Sequence, residues 1–111
     1  MKDCIFCKIV AGDISSKPVK ETENIIVLKD IAPKAPIHYL IIPKKHVDDL
    51  RSLKEEDKAL AGELLMTAQQ LSELNDNTPF RLLTNNGHQA GQRVHHLHMH
   101  FLAGDTLPEL F

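Results

Sequence analysis

The sequence predicts an α+β domain, and three observations carry that expectation. Two short β-branched apolar runs, "IIVLKD" (25–30) and "IHYLIIP" (37–43), flank a segment with two prolines. Residues 55–74 carry apolar side chains at helical spacing. A last run, 94–102, alternates histidine with hydrocarbon at the period of a strand. Together they describe an antiparallel sheet of about five strands, one long helix against a face, and a short helix at the amino terminus.

Each element has a local reason. Cys4 to Val10 reads as the short first helix. The run 25–30 is bounded by Asn24 and Asp30, and 37–43 is fenced by Pro36 and Pro43, so both read as buried strands. "DIAPKAP" between them can only turn, which pairs them antiparallel. Ser52-Leu53-Lys54-Glu55 fits a capping box, in which serine and glutamate satisfy each other's exposed backbone N–H groups. Beyond it Leu60, Ala61, Leu64, Leu65, Ala68 and Leu71 form the apolar stripe, leaving Asp57, Glu63, Gln70 and Glu73 outward. Asn75 to Pro79 ends the helix, "FRLLTNNG" (80–87) reads as a strand into a turn, and Val94 to Leu102 forms the final strand.

Composition narrows the function. A chain of 111 residues suits one domain, 1–111. With 13 basic against 15 acidic side chains, net charge −2 and no basic run, non-specific nucleic-acid binding is not expected. "MKDCIFCKIV" is interrupted by Asp3 and Lys8, so no signal peptide is expected. No stretch nears the roughly 20 apolar residues of a membrane helix, so no membrane partner and a cytoplasmic setting are expected. Both cysteines lie in one Cys4-x-x-Cys7 unit. In a reducing compartment that spacing suggests metal ligation or redox chemistry more than a structural disulfide. No strand precedes Cys4 as a thioredoxin-like pattern would need, which leaves metal, or simple burial of two thiols.

The chemistry concentrates in "RVHHLHMHFLAG" (93–104), which holds four of the seven histidines within six positions. In a strand, same-face side chains lie about 6.6 Å apart. Leu97, Met99 and Phe101 would then pack against the helix while His96, His98 and His100 project together from the other side. Three uses are open: a solvated strand face, a zinc hydrolase whose ion activates water, or nucleophilic attack by a central imidazole on phosphorus. Spacing does not choose between them. Asn85, Asn86, Gly87, Gly91 and Gln92 precede the run and offer neutral donors and backbone N–H groups to an anionic phosphate.

The chain resembles the histidine triad nucleotide-binding proteins. Their signature, histidine alternating with apolar residues and closing on two apolar positions, is matched throughout by "HLHMHFL" (96–102). "CIFCKIVAGDI", "LKDIAPKAPIHYLIIPKKH" and "NNGHQAGQRVHHLHMH" carry the likeness along nearly the whole chain, in the right order.

The resemblance implies a HIT-like fold and a purine nucleoside phosphoramidase or related nucleotidyl hydrolase. His98 would be the nucleophile that takes AMP from an AMP–amine substrate. His100 would contact the α-phosphate and help protonate the leaving amine. His96 and His38 would complete the histidine network, with the carbonyl of residue 96 orienting the ring of His98. Asn85, Gly91 and Gln92 match phosphate-binding positions, and Asp30 matches the ribose position. Ile5, Phe6, Ile9, Ile14, Leu28 and Ile31 match the slot for the base, although each taken singly is ordinarily plain core. Members with the early Cys-x-x-Cys bind zinc; the matching set here is Cys4, Cys7, His46 and His96, suited to a closed structural site.

Arg93 stands where relatives commonly carry a small hydroxyl or short polar residue near the phosphate, and His95 replaces a frequent aromatic residue. The tail "AGDTLPELF" is short, in a region that influences substrate choice. The resemblance also implies purine nucleotides (AMP, adenosine or guanosine derivatives) as ligands, and a homodimer. Two other readings stand beside the leading one. One is a dinucleoside polyphosphate hydrolase, which an extra phosphate-binding Arg93 would suit. The other is a nucleotide-binding regulatory module whose activity is incidental.

Overall fold

A computed structural model describes residues 3–110. Five antiparallel strands form one sheet: β1 (Lys20–Glu21), β2 (Ile25–Lys29), β3 (Ile37–Pro43), β4 (Phe80–Leu83) and β5 (Met99–Ala103), in the order β1-β2-β3-β5-β4. Two α-helices accompany it, α1 (Ile5–Val10) and α2 (Lys58–Leu74). The fold is the α+β arrangement expected from the sequence.

Register explains how one sheet serves two purposes. Residues directly opposite in neighbouring strands share a face, so Val27, Ile41 and Met99 stand together, as do Leu28, Leu40 and His100. The first set joins the main core with Ile25, Phe101, Leu64, Ala68 and Leu71 under α2. The second set lies on the opposite face, where Phe6 of α1 packs on Ile26, Leu28 and Ile42 in a smaller cluster. The candidate site residues of the sheet belong to this second face.

Five expectations are corrected. The last strand begins at Met99, not Val94. Pairing with β3 runs from Ile37↔Ala103 to Ile41↔Met99 and stops there. Two residues further on, Pro43 has no N–H to give, and its carbonyl is taken by the ring of His96 at 2.7 Å. The chain bends at 94–96 and is tied to Val47 through the N–H of Leu97 at 2.7 Å.

The Ser52–Glu55 capping box does not form. Asp49 caps a 3-10 turn at Leu50–Ser52 by accepting the N–H of Arg51, and Asp57 accepts the N–H of Lys54 at 2.9 Å. The first turn expected for the long helix is the 3-10 segment Glu55–Asp57, with α2 following from Lys58. Asp57 is therefore buried rather than outward, paired with Lys45 at 2.7 Å. That cation and the Lys54 N–H hold its carboxyl below the ordinary range. Finally, Leu65 is 58% exposed and outside the core, because the buried face of α2 is the narrower Leu64, Thr67, Ala68, Leu71 stripe.

Candidate active site

His98 and His100 keep the strand alternation and stand with ring centroids 5.2 Å apart, while Leu97, Met99 and Phe101 are buried. His96 leaves the row. Its ring is fully buried beside the first helix, 4.8 Å from His46 and 5.7 Å from Phe6 between centroids. The expected three-ring face is thus two rings plus a third in a neighbouring cluster. The bend at 94–96 turns it there.

Each ring's proton can be located from its fixed partner. His98 donates Nδ1–H to the carbonyl of His96 at 2.8 Å, which leaves Nε2 with a free lone pair. Thr84 donates its hydroxyl to the carbonyl of His98 at 2.9 Å and pins the backbone there. Phe6 meets the His98 ring edge-on at 5.2 Å and restricts its rotation. His98 remains half-buried, so the residue keeps some access to solvent.

His38 is buried and lies 2.8 Å from His100 through Nε2 and Nδ1, with Asp30 Oδ2 at 3.3 Å from the same Nε2. Burial lowers the pKa of both His38 and His100. The neighbouring imidazoles lower that of His100 further, and Asp30 partly offsets both shifts. At neutral pH these rings are uncharged.

A metal could be held on the other side of His96. Cys4 Sγ lies 3.2 Å and Cys7 Sγ 3.6 Å from His96 Nδ1, and Cys7 Sγ lies 3.2 Å from His46 Nδ1. All four donor atoms fall within 4.8 Å of one another. Bond lengths of about 2.0–2.3 Å in a tetrahedron put ligand atoms roughly 3.3–3.8 Å apart, so the donors fit such an ion. Both rings turn Nδ1 inward for the same reason. His46 donates Nε2–H to Asp48 at 2.9 Å, and His96 donates Nε2–H to Pro43. Asp30, His38 and His100 also cluster closely enough for a cation. They do not suit one: His38 Nδ1 accepts the N–H of Lys34 at 3.0 Å, so the neutral ring carries its proton on Nε2, where a ligand would need a lone pair.

The loop before β5 is built around Gln92, which is 1% exposed. Its Oε1 accepts the N–H of Gly87 at 2.8 Å, and its Nε2 donates to the carbonyls of Asp48 and Val94 at 2.6 and 3.1 Å. That carboxamide is engaged entirely with main-chain groups and holds the loop. Gly91, at φ +104°, sits in the left-handed region with the Asn85 carboxamide against it. Arg93 is exposed and donates Nη1 to the carbonyl of His88 at 2.9 Å. Of the residues matched to the base slot, Phe6, Ile9 and Leu28 share the α1-side cluster, whereas Ile5, Ile14 and Ile31 are exposed.

The carbonyl of His96 was expected from the resemblance, whereas the main-chain groups of Pro43 and Lys34 escaped the sequence reading, since backbone atoms carry no side-chain signature. Asp48, two residues after His46, was a readable signal. A surface groove of about 620 Å³ between Thr78–Arg81 and Gly104–Leu107 has neither imidazole nor thiol. It lies away from this chemistry.

Comparison with known proteins identifies the family and the fold. Residues 3–109 match the family described as "Scavenger mRNA decapping enzyme C-term binding". An uncharacterized HIT-like protein of Synechocystis is 42% identical over 104 residues, covering 93% of this chain and 91% of that one. A HIT family hydrolase from Clostridium thermocellum superimposes with TM-score 0.91 at 36% identity, over 100% of this chain and 99% of that chain. A histidine triad nucleotide-binding protein from Candida albicans gives TM-score 0.81 at 30% identity, over 96% and 84%. The chain belongs to the histidine triad (HIT) superfamily.

Proposed function

We propose that this protein is a nucleotidyl hydrolase of the phosphoramidase kind, cleaving AMP from an amine through a covalent intermediate on His98. The observation that supports this most is the Nδ1–H···O=C bond from His98 to His96 at 2.8 Å, which makes Nε2 the lone-pair nitrogen of the neutral ring. In the first step Nε2 bonds to the α-phosphorus and the P–N bond breaks. Its electron pair leaves with the amine nitrogen, which takes up a proton. The positive charge on the nucleotidyl-imidazole is shared through Nδ1–H with the His96 carbonyl. Water then attacks phosphorus, the P–Nε2 pair returns to the ring, and the proton released from water goes to solvent.

His100 contacts a phosphoryl oxygen, and main-chain N–H groups of the 85–93 loop, with Asn85 and Gly91, surround the phosphate. Asp30 receives the ribose hydroxyls; its Oδ1 already accepts the N–H of Ala32 at 2.8 Å, which holds the carboxylate in place. Phe6, Ile9 and Leu28 with the exposed Ile5, Ile14 and Ile31 take a purine base of adenosine or guanosine derivatives. Zinc at Cys4, Cys7, His46 and His96 would be structural, joining α1 to the histidine segment without a part in the chemistry; a cytoplasmic setting keeps those thiols reduced. Dinucleoside polyphosphate hydrolysis is less well supported, because Arg93, the extra cation that suited it, has Nη1 engaged with main-chain carbonyls. A homodimer is favoured by the exposed Leu65, Met66 and Leu74 on α2 and by β4 at the sheet edge with Phe80 exposed.

The test is turnover of an adenosine phosphoramidate by wild type and His98→Ala, each with and without a chelator. Loss of at least about 10³-fold in the variant is expected, with the wild type active while its fold survives chelation. Full activity in His98→Ala would eliminate nucleophilic catalysis. Immediate loss on chelation with an intact fold would mark a metal hydrolase instead.

A further inference from the structure

The protons of His38 and His100 can be traced from a single main-chain group. Lys34 donates its backbone N–H to His38 Nδ1 at 3.0 Å. An amide nitrogen has no lone pair to offer, so His38 Nδ1 must be the acceptor and the ring's one proton sits on Nε2. A second proton on Nδ1 would point straight at the Lys34 N–H. His38 Nε2 in turn lies 2.8 Å from His100 Nδ1 and 3.3 Å from Asp30 Oδ2. With the proton on His38 Nε2, the nearer partner, His100 Nδ1, must accept. His100 then carries its own proton on Nε2.

We infer that the Lys34 amide, acting through His38, holds His100 as a neutral Nε2–H donor to the phosphoryl group rather than as an imidazolium acid. This rests on the proposed nucleotidyl transfer and sharpens one role in it. His38 is a positioning residue. An imidazolium at His100 would need a second proton on Nδ1, facing the Nε2–H of His38 at 2.8 Å. The His38 ring cannot rotate away, because it is buried and anchored at its far nitrogen by the turn between Asp30 and Pro36, where Pro33 and Pro36 restrict the backbone. The depressed basicity of both rings, caused first by burial, accords with this. The proton for the departing amine therefore comes from water, and His100 stabilises charge on the phosphoryl oxygens by hydrogen bonding alone.

The test has two arms. Long-range proton–nitrogen NMR of the full chain labelled with ¹⁵N-histidine reads the tautomer of each ring in the free protein at pH 7. His100 should show a protonated Nε2 and an unprotonated, hydrogen-bonded Nδ1. The pattern should persist in His38→Gln, whose amide keeps an N–H donor, and be lost in His38→Leu. A protonated Nδ1 on His100 in the wild type overturns the inference, whether or not His38→Leu folds.

The second arm is kinetic. His100→Gln, a neutral donor that cannot act as an acid, should stay within about tenfold of wild type in kcat, while His100→Ala should lose about 10²–10³-fold. Equal losses in the two variants overturn the inference. If no phosphoramidate is turned over, the proposed function fails, and the spectrum still decides the tautomer.

Discussion

On the α2 side of the sheet, Val27, Ile41 and Phe101 are sealed from solvent against Leu64 and Leu71. On the α1 side, one residue along the same strands, stand His38 and His100, with His98 just ahead of β5. Period-two alternation lets one backbone segment carry both a dry core and a set of imidazoles. The dry face makes the reactive face rigid: Met99 and Phe101 cannot shift without opening the core, so His98 and His100 are held between fixed neighbours. Where that support ends, at Pro43, the chain bends and His96 turns towards the two thiols.

The comparison predicts that the faces respond differently to damage. Phe101→Ala should destabilise the protein by about 3–5 kcal/mol in urea unfolding, as for a fully buried aromatic. Phe6→Ala should cost less stability but more activity, since Phe6 also braces the His98 ring. An equal stability loss with unchanged turnover would dissolve the distinction between the two faces.

The candidate metal cluster sharpens it further. Asp48→Asn should weaken zinc affinity, measured by competition with a chromophoric chelator, about 10–100-fold, because the carboxylate fixes the ring of His46. Unchanged affinity would mean that Asp48 does not orient the ligand.

Acid should act through the reactive face. The folded protein holds His38 and His100 neutral, with lowered pKa values, whereas the unfolded chain protonates them near pH 6.5. Below that pH the unfolded state binds more protons, so the stability these rings contribute is full above about pH 6.5. It drains as pH falls towards the native values. The urea midpoint should drop between pH 7 and pH 5, and drop less in His38→Gln. Asp49 and Asp57, with lowered carboxyl pKa values, act in a more acidic window, below about pH 4. A midpoint flat from pH 7 to pH 5 would contradict neutral burial of the two rings.

The smallest effect on the fold is expected from Leu65→Gln, within about 0.5 kcal/mol for the monomer, since the side chain lies mostly in solvent. In the proposed homodimer, the same change should shift sedimentation towards the monomer. An unaltered dimer would move the interface elsewhere.

Much of this was legible in the residues. The β-branched runs gave β2 and β3, and proline-rich 30–36 gave their antiparallel turn. The alternation at 98–101 correctly separated imidazoles from hydrocarbon. What failed was decided by distant partners. Val94 to His98 lost strand pairing because Pro43, far away in sequence, cannot donate to it. The caps went to Asp49 and Asp57 because Arg51 and Lys45 reward those carboxylates. Leu65 fits the helical stripe yet faces away, since spacing records a period but not how wide the covered surface is. The departure of His96 towards Cys4 and Cys7 depends on the bend. The tautomer chain from Lys34 depends on a main-chain N–H that every non-proline residue possesses.

The most direct test of the account is to trap the intermediate. Wild-type protein quenched during turnover of an adenosine phosphoramidate, then digested and mapped by mass spectrometry under conditions that preserve P–N bonds, should carry the adenylyl group on His98. Finding it on His96, His100 or any other residue would contradict the account.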